Sequence, residues 1–330
     1  MSRYSAKSIL KEGYSVIVLS DSQWDAAAQV IPEAGCNLFR FESGEHPVLV
    51  PPPSLTALRN EPFAPFKYGT PILFPPNRVK QGQFSFLGRQ YSLPLNEPPS
   101  NHLHGELCSR GWEVLDYGAS QENGAFVTSR FRFGLHPDIL AYFPHPLSFT
   151  VTYRLYEGRL TMQAAIVNEG EDEAPFAFGL HPYFFVPFDR GEGLVLKVPA
   201  EEEWPVTKEA FVTGRPVKTN FSRALIEGAS ISTYPELGCT MLTFGDGVED
   251  PVCRIHMKNR GYTIAYQVDR QFPFVLLFRP DWASAFSLEP YTSVTDAFNL
   301  PYDHELTGVK GIKAGEELRF TTCLWIETET

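Results

Sequence analysis

The sequence predicts an all-β protein, folded as a large antiparallel β-sandwich. Short runs rich in valine, phenylalanine, tyrosine and threonine are punctuated by 28 prolines and 25 glycines. No stretch of twelve or more residues carries apolar side chains at helical spacing. Strands this numerous bury their apolar faces when two sheets pack together, and a sandwich is therefore expected.

The clearest strands form a hairpin. Residues 149–156 alternate apolar and polar side chains, which is the period of two expected of a strand. Residues 157–159 supply a turn, and residues 160–167 continue the alternation. A polar loop at 168–174 then leads to another predicted strand at 175–180, so we expect three sequential antiparallel strands.

The rest of the chain continues this pattern of short strands. Further strands are expected at 14–19, 125–133, 194–198, 261–268, 274–278 and 318–326. The strongest helical candidate is residues 24–30, ended by Pro32, and the proline-rich segment 49–76 is interpreted as an ordered loop. Because no low-complexity linker divides the chain, residues 1–330 are expected to form one domain.

Composition argues against several classes of partner. The net charge of -11 arises from 39 acidic and 28 basic residues, with no lysine- or arginine-rich run that could neutralise nucleic-acid phosphates. There is no signal-peptide pattern and no 18-residue apolar span, so we expect a cytoplasmic protein without a membrane partner. The five cysteines are scattered and never form a Cys-x-x-Cys pair, which disfavours a disulfide framework or a zinc site.

Three segments combine ionisable groups with the glycine, proline and aromatic residues that line ligand clefts: 101–105, 179–184 and 288–293. Each places a titratable group at the end of a predicted strand, where a rigid scaffold presents functional side chains. Trp112 and Tyr183, which accompany two of these segments, offer flat faces on which a sugar ring can stack.

Glu289 is the best single candidate for a functional residue. It follows the apolar Leu288 and precedes Pro290, and an unpaired carboxylate beside a core strand loses hydration unless function requires it. His102 and His104 are open to two interpretations, as hydrogen-bonded loop histidines or as functional groups. A His-x-His pair on one side of a strand could also bind zinc, but no nearby cluster completes a tetrahedron.

The string Phe-Gly-Leu-His-Pro occurs twice, at 133–137 and at 178–182. The flanking residues differ and no longer period recurs, so we interpret the repetition as chance. His136 and His145 have no partner motif and are predicted to be structural.

Four motifs, in this order, resemble the aldose 1-epimerase (mutarotase) family. They are 69–75 with Asn77-Arg78, then Leu103-His104-Gly105 with Trp112-Glu113, then 179–184, and finally 289–292 with 296–299. The resemblance implies a galactose mutarotase-like β-supersandwich that needs no cofactor. It also implies an open cleft on one sheet that binds a small-molecule sugar.

By the same resemblance, Glu289 takes the place of the family's general base and His181 that of its general acid. His104 would be a second histidine near the ring oxygen, and Arg78 would contact sugar hydroxyls. Opening a pyranose needs one proton to leave the anomeric hydroxyl while another reaches the ring oxygen, which suits a carboxylate and an imidazolium. A neighbouring carboxylate is expected to hold His181 protonated near neutral pH, while burial raises the pKa of Glu289.

The sequence departs from the family pattern in two places. Around residues 231–237 there is no aspartate of the kind that holds sugar hydroxyls in relatives. Relatives that act on hexose 6-phosphates often read His-Gly-Phe-Ala-Arg, whereas Glu106 and Cys108 stand here, with Arg110 nearby. Glu106 disfavours a phosphate.

The sequence is therefore interpreted as that of an epimerase of free aldoses, as a monomer or homodimer. The alternatives are a non-catalytic carbohydrate-binding sandwich and a hexose-6-phosphate 1-epimerase.

Overall fold

Strands are the main secondary structure in the computed structural model, which describes residues 2–60, 63–188, 193–245 and 247–328. The helices are short, and among these residues none is long and apolar enough to cross a membrane. The helices are α1 (Leu55–Asn60), α2 (Pro137–Leu140), α3 (Asn220–Glu227) and α4 (His304–Thr307). Single turns of 3-10 helix occupy Ala64–Phe66, Phe133–Leu135, Lys258–Arg260 and Ala297–Asn299.

The strands follow one another closely along the chain. The first are β1 (Tyr4–Lys11), β2 (Tyr14–Asp21), β3 (Ala26–Ile31), β4 (Asn37–Ser43), β5 (His46–Pro47), β6 (Ile72–Leu73), β7 (Arg78–Lys80), β8 (Gln83–Phe86) and β9 (Arg89–Ser92). The next are β10 (Asn101–Leu103), β11 (Glu113–Ser120), β12 (Gly124–Arg132), β13 (Leu147–Tyr156), β14 (Arg159–Asn168), β15 (Ala174–Phe176), β16 (Gly179–Leu180), β17 (Tyr183–Phe185) and β18 (Leu194–Lys197). The last are β19 (Ala200–Trp204), β20 (Ala229–Ser230), β21 (Cys239–Phe244), β22 (Val252–Met257), β23 (Tyr262–Val268), β24 (Phe274–Phe278), β25 (Ala285–Tyr291), β26 (Lys310–Ile312) and β27 (Glu317–Thr328).

Two large antiparallel sheets form the body of the protein. A nine-stranded sheet has the order β11-β12-β13-β14-β27-β23-β22-β18-β20. A seven-stranded sheet has the order β19-β21-β24-β25-β16-β6, with β17 also paired to β25. A third sheet, β1-β2-β3-β4-β5, is built from the first fifty residues. The fold class predicted from the sequence, an all-β antiparallel sandwich, is confirmed.

Aromatic side chains fill the space between the two large sheets. The ring of Phe184 on β17 lies 5.2 Å from that of Tyr266 on β23, so β17 packs against the nine-stranded sheet. Phe178, which precedes β16, contacts Phe320 on β27 with ring centroids 5.1 Å apart. Large aromatic groups bury much apolar area per residue and therefore contribute strongly to a core of this kind.

Strand β25 has both of its faces covered, and all seven of its residues are buried. Phe286 pairs with Phe184 and shares the face that packs on the nine-stranded sheet. Because side chains alternate along a strand, Ser287, Glu289 and Tyr291 point to the opposite face. Glu289, the functional candidate on this strand, therefore lies on the outer side of the seven-stranded sheet.

The predicted hairpin is confirmed as β13 and β14, but the third strand of the series is placed differently. Residues 175–180 divide between β15, which pairs with β26, and β16, which pairs with β6 and β25. Neither adds to the hairpin, because β14 already has β13 on one side and β27 on the other. The expected run of three sequential antiparallel strands is therefore wrong.

Three further segments differ from the sequence predictions. Residues 24–30 were the best helical candidate, but Ala26–Ile31 forms β3, in which Ala26, Ala28 and Val30 are buried at a period of two. The helix α3 was not predicted, although Thr219 and Ser222 form a capping box at its start. The segment 49–76, interpreted as a loop, contains α1 and β6 as well as its prolines.

Candidate active site

An open cleft of about 760 Å³ lies on the outer face of the seven-stranded sheet. Glu289, His181, His104, Arg78 and Tyr183 all line it. These five residues come from segments that are far apart in the sequence. The structure therefore brings together all but one of the site residues predicted from the sequence.

Glu289 and His181 are in direct contact at the base of this cleft. The Oε1 atom of Glu289 lies 3.2 Å from Nε2 of His181, and both side chains are almost fully buried. Glu289 is held by β25, and His181 directly follows β16, which pairs with β25. Adjacent strands of one sheet therefore set the separation of the carboxyl and the imidazole.

The partners of His181 determine where its ring protons lie. Nδ1 is 2.9 Å from the Ser287 hydroxyl, which itself donates to the Pro182 carbonyl at 2.7 Å. Because the hydroxyl proton of Ser287 is used there, its oxygen accepts the Nδ1 proton of His181. Tyr183 stacks on the imidazole with ring centroids 4.4 Å apart, and its hydroxyl donates to the Phe66 carbonyl. Nε2 faces both the Tyr183 hydroxyl, at 3.2 Å, and Oε1 of Glu289.

Burial shifts the pKa values of this pair in opposite directions. It lowers the pKa of His181 to about 3. It raises the pKa of Glu289 to about 8, against the lowering effect of the hydrogen bond from Tyr291. The expectation that the carboxylate neighbour holds His181 as an imidazolium is thus corrected for the sugar-free site, because desolvation disfavours both charged forms. In that state the proton is on Glu289.

His104 enters the cleft from a sharp backbone turn. His104 and Gly105 both have left-handed backbones, with φ of 60° and 70°. The Asn77 backbone N–H donates to Nδ1 of His104 at 3.2 Å, which leaves the ring proton on Nε2. Burial lowers the pKa of His104 well below its usual range, and nearby His181 lowers it further. His104 is therefore a neutral hydrogen-bond donor, with its ring 5.3 Å from that of His181.

His102 does not act with His104. Its Nδ1 atom is bonded to the Pro94 carbonyl at 2.7 Å, and its side chain borders a separate small apolar cavity behind the cleft. The left-handed turn at His104 breaks the strand geometry that would align the two imidazoles. Within the described ranges, no group of three or more histidine, cysteine or acidic side chains is arranged to bind a metal ion.

Arg78 lines the cleft but has carboxylate and carbonyl partners already. Its Nε and Nη2 atoms donate to both carboxylate oxygens of Glu97, at 2.7 and 2.6 Å. Its Nη1 atom donates to the Glu209 carbonyl at 3.0 Å. The bidentate pair fixes the guanidinium plane and neutralises its charge.

Trp112 is the predicted site residue that the structure places elsewhere. It is buried, its indole N–H donates to the Leu107 carbonyl at 3.0 Å, and its ring packs near Phe131. Trp112 is not among the residues that line the cleft, so the stacking role predicted for it is wrong. Trp282, which does line the cleft, was not predicted from the sequence.

Several polar residues of the site were also missed. Ser287 and Tyr291 flank Glu289 at a spacing of two on β25, and this alternation was a signal that could have revealed them. Glu209 and Glu236 also line the cleft, and Glu236 pairs with Arg279 at 3.1 Å.

Comparison with known proteins identifies the family of this chain. Residues 18–325 match the sequence family described as aldose 1-epimerase. The chain belongs to the aldose 1-epimerase family. The match spans all four motifs from which the resemblance was inferred.

The sequence identity between this chain and individual similar proteins is low. The uncharacterized protein YihR of Escherichia coli (strain K12) is 29% identical over 147 residues, covering 43% of this chain and 44% of YihR. A galactose mutarotase-like protein from Clostridium acetobutylicum superposes with a TM-score of 0.88 at 23% identity over 98% of each chain. Galactose 1-epimerase from Lactobacillus acidophilus NCFM gives a TM-score of 0.78 at 15% identity, over 98% of this chain and 99% of that one. The two structural likenesses show a shared fold.

The turn that places His104 in the cleft should require glycine at position 105. A β-carbon there would lie 1.8 Å from the Phe74 carbonyl oxygen, whereas one at Gly44, also left-handed with φ of 58°, would meet nothing within 4 Å. Gly44→Ala should cost roughly 1–2 kcal/mol of unfolding free energy from backbone strain alone. Gly105→Ala should cost clearly more, as measured by urea unfolding. Equal losses in the two variants would contradict the proposed clash.

Proposed function

We propose that this protein interconverts the α and β anomers of a free aldose by opening and reclosing its ring. The observation that carries the proposal is the buried contact between Glu289 and His181 at the base of a cleft large enough for a sugar. A matched acid and base is what ring opening requires, whereas stacking and hydroxyl recognition do not need one. The contact therefore favours an enzyme over a non-catalytic carbohydrate-binding sandwich.

The pair can supply both proton transfers from a single proton. In the sugar-free site this proton belongs to Glu289, and Nε2 of His181 lies 3.2 Å away. Hydrogen bonds donated by bound sugar hydroxyls stabilise a carboxylate and so favour transfer of the proton to His181. The resulting carboxylate and imidazolium are the forms needed for a general base and a general acid.

Ring opening then follows with balanced protons. Glu289 takes the proton of the anomeric hydroxyl while His181 gives its proton to the ring oxygen, and the bond from C1 to that oxygen breaks to leave an open-chain aldehyde. Rotation about C1–C2 presents the other face of the aldehyde. Reclosure reverses the two transfers and restores the starting protonation. His104, neutral and carrying its proton on Nε2, is available to donate to a sugar oxygen.

The charges around the cleft favour a free aldose over a phosphosugar. Arg78 is neutralised by Glu97, and Arg110 binds Glu106 and Asp138 instead of lining the cleft. The two arginines that could have formed a phosphate clamp are thus already paired. Phe278 and Trp282 line the cleft, are only partly buried and have ring centroids 5.8 Å apart, so they provide aromatic surface for a sugar ring.

Replacing the base should abolish turnover while preserving the fold. Glu289→Gln keeps nearly the same shape but cannot accept the anomeric proton, so the rate should fall by about 10²-fold or more. Exchange spectroscopy by NMR on equilibrated glucose and galactose measures this rate directly. A variant with unchanged thermal stability and activity within a few-fold of wild type would refute the role of Glu289.

The repeated Phe-Gly-Leu-His-Pro string provides a matched control. His181 lies in the cleft, whereas His136 stacks on Phe131 with ring centroids 4.4 Å apart and does not line the cleft. His181→Asn should lose activity by about 10²-fold or more, and His136→Asn should retain it. Loss of activity in His136→Asn with retention in His181→Asn would show that the acid has been assigned to the wrong copy of the string.

Substrate preference can be tested by charge. Catalytic efficiency for glucose and galactose should exceed that for glucose 6-phosphate at both low and high salt, since the cleft arginine is neutralised. A phosphosugar preference of about tenfold or more that shrinks with salt would contradict the proposal. It would also direct attention to Lys67 and Lys208, the lysines that line the cleft.

A further inference from the structure

Strand β25 carries three polar residues on its outer face, Ser287, Glu289 and Tyr291, and only the middle one has a role in the proposed reaction. Ser287 and Tyr291 are both fully buried, with no exposed surface. A fully buried hydroxyl is costly unless it is hydrogen-bonded, so the partners of these two residues are informative.

Each of the two hydroxyls holds one member of the acid–base pair. Ser287 accepts the Nδ1 proton of His181 and is itself anchored to the Pro182 carbonyl. The Tyr291 hydroxyl donates to Oε2 of Glu289. That bond occupies one carboxylate oxygen and leaves the other, Oε1, facing Nε2 of His181.

The second histidine, His104, is held by Asn77. The Asn77 side chain lowers the pKa of the Tyr291 hydroxyl, which burial raises, and the Asn77 backbone N–H donates to Nδ1 of His104. Asn77 is buried and has a left-handed backbone with φ of 56°, a conformation that asparagine adopts more readily than most residues. Tyr291 therefore holds Glu289, and Asn77 separately holds His104.

We propose that Ser287 and Tyr291 are the positioning residues of this site, Ser287 fixing the His181 ring and Tyr291 fixing the Glu289 carboxyl so that Nε2 and Oε1 face each other. The importance of that alignment rests on the proposed function, whereas the alignment itself is a property of the sugar-free protein. Neither residue needs to touch the sugar.

The groups that surround Glu289 determine how the pKa of Glu289 changes when one hydroxyl is removed. The titratable and charged groups that face it are Tyr291 on its own strand and His181, Tyr183, Tyr234, Cys239 and Arg78 from the neighbouring elements. The hydrogen bond from Tyr291 lowers the pKa of Glu289, which burial otherwise raises. Removing that hydroxyl should therefore raise the pKa, because a donor to the charged form is lost.

The first test is of the ring protons in the sugar-free protein. In wild-type protein with ¹⁵N-labelled histidine, the His181 resonances are assigned by their disappearance in His181→Asn. Nδ1 of His181 should carry a proton, and in Ser287→Ala the proton should shift toward Nε2 because its acceptor is gone. A wild-type His181 without a proton on Nδ1 would overturn the role of Ser287. This readout requires no activity, so it remains decisive even if the protein acts on no aldose.

The second test is kinetic. Tyr291→Phe removes one hydroxyl and keeps the ring, and its pH profile of kcat/KM for anomer interconversion should move toward alkaline pH by about one pH unit. Ser287→Ala should lower kcat about tenfold with little change in KM. The matched control is Tyr153→Phe. Tyr153 does not line the cleft, and its buried hydroxyl has no hydrogen-bond partner among the described residues, so this variant should leave the profile unchanged. A Tyr291→Phe profile that coincides with that of Tyr153→Phe would overturn the role of Tyr291.

Discussion

The buried contact between Glu289 and His181 is the constraint on which the rest of the site depends. A carboxyl and an imidazole held out of water are costly in their charged forms, and desolvation pushes both toward neutrality. The same burial favours the proton on Glu289 in the sugar-free site, so sugar binding must favour its transfer to His181 before the ring opens. An acid and a base that exchange one proton over 3.2 Å can then act in either direction, which is what an interconversion of anomers requires.

The sandwich makes this contact possible by covering β25 on both faces. One face packs on the nine-stranded sheet through residues such as Phe286, and the other forms the floor of the cleft. Because the strand is held between β24 and β16 or β17, its side chains have little freedom to move. Ser287, Glu289 and Tyr291 therefore keep fixed separations, as a site that works through geometry needs.

The sequence allowed the fold class and most of the site to be predicted for identifiable physical reasons. The strand at 149–156 was predicted correctly because it depends only on the local alternation of apolar and polar side chains. The four motifs led to Glu289, His181, His104, Arg78 and Tyr183, all of which line the cleft.

What could not be predicted depends on tertiary context. The same five residues form a 3-10 turn leading into α2 at 133–137 but contain β16 at 178–182, so the neighbouring strands decide the conformation. The burial of Trp112 and the pairing of Arg78 with Glu97 both depend on which segments fold against them. The protonation of His181 was mispredicted because the degree of desolvation cannot be read from residue spacing.

Polarimetry of freshly dissolved α-galactose or α-glucose tests most directly whether this cleft interconverts the anomers of a free sugar. The spontaneous reaction provides the baseline in the same cell. With wild-type protein, the optical rotation should approach its equilibrium value faster in proportion to protein concentration, and the final rotation should be unchanged because a catalyst does not alter the equilibrium. Rotation that follows the spontaneous time course for every free aldose tested, at all protein concentrations, would contradict the account.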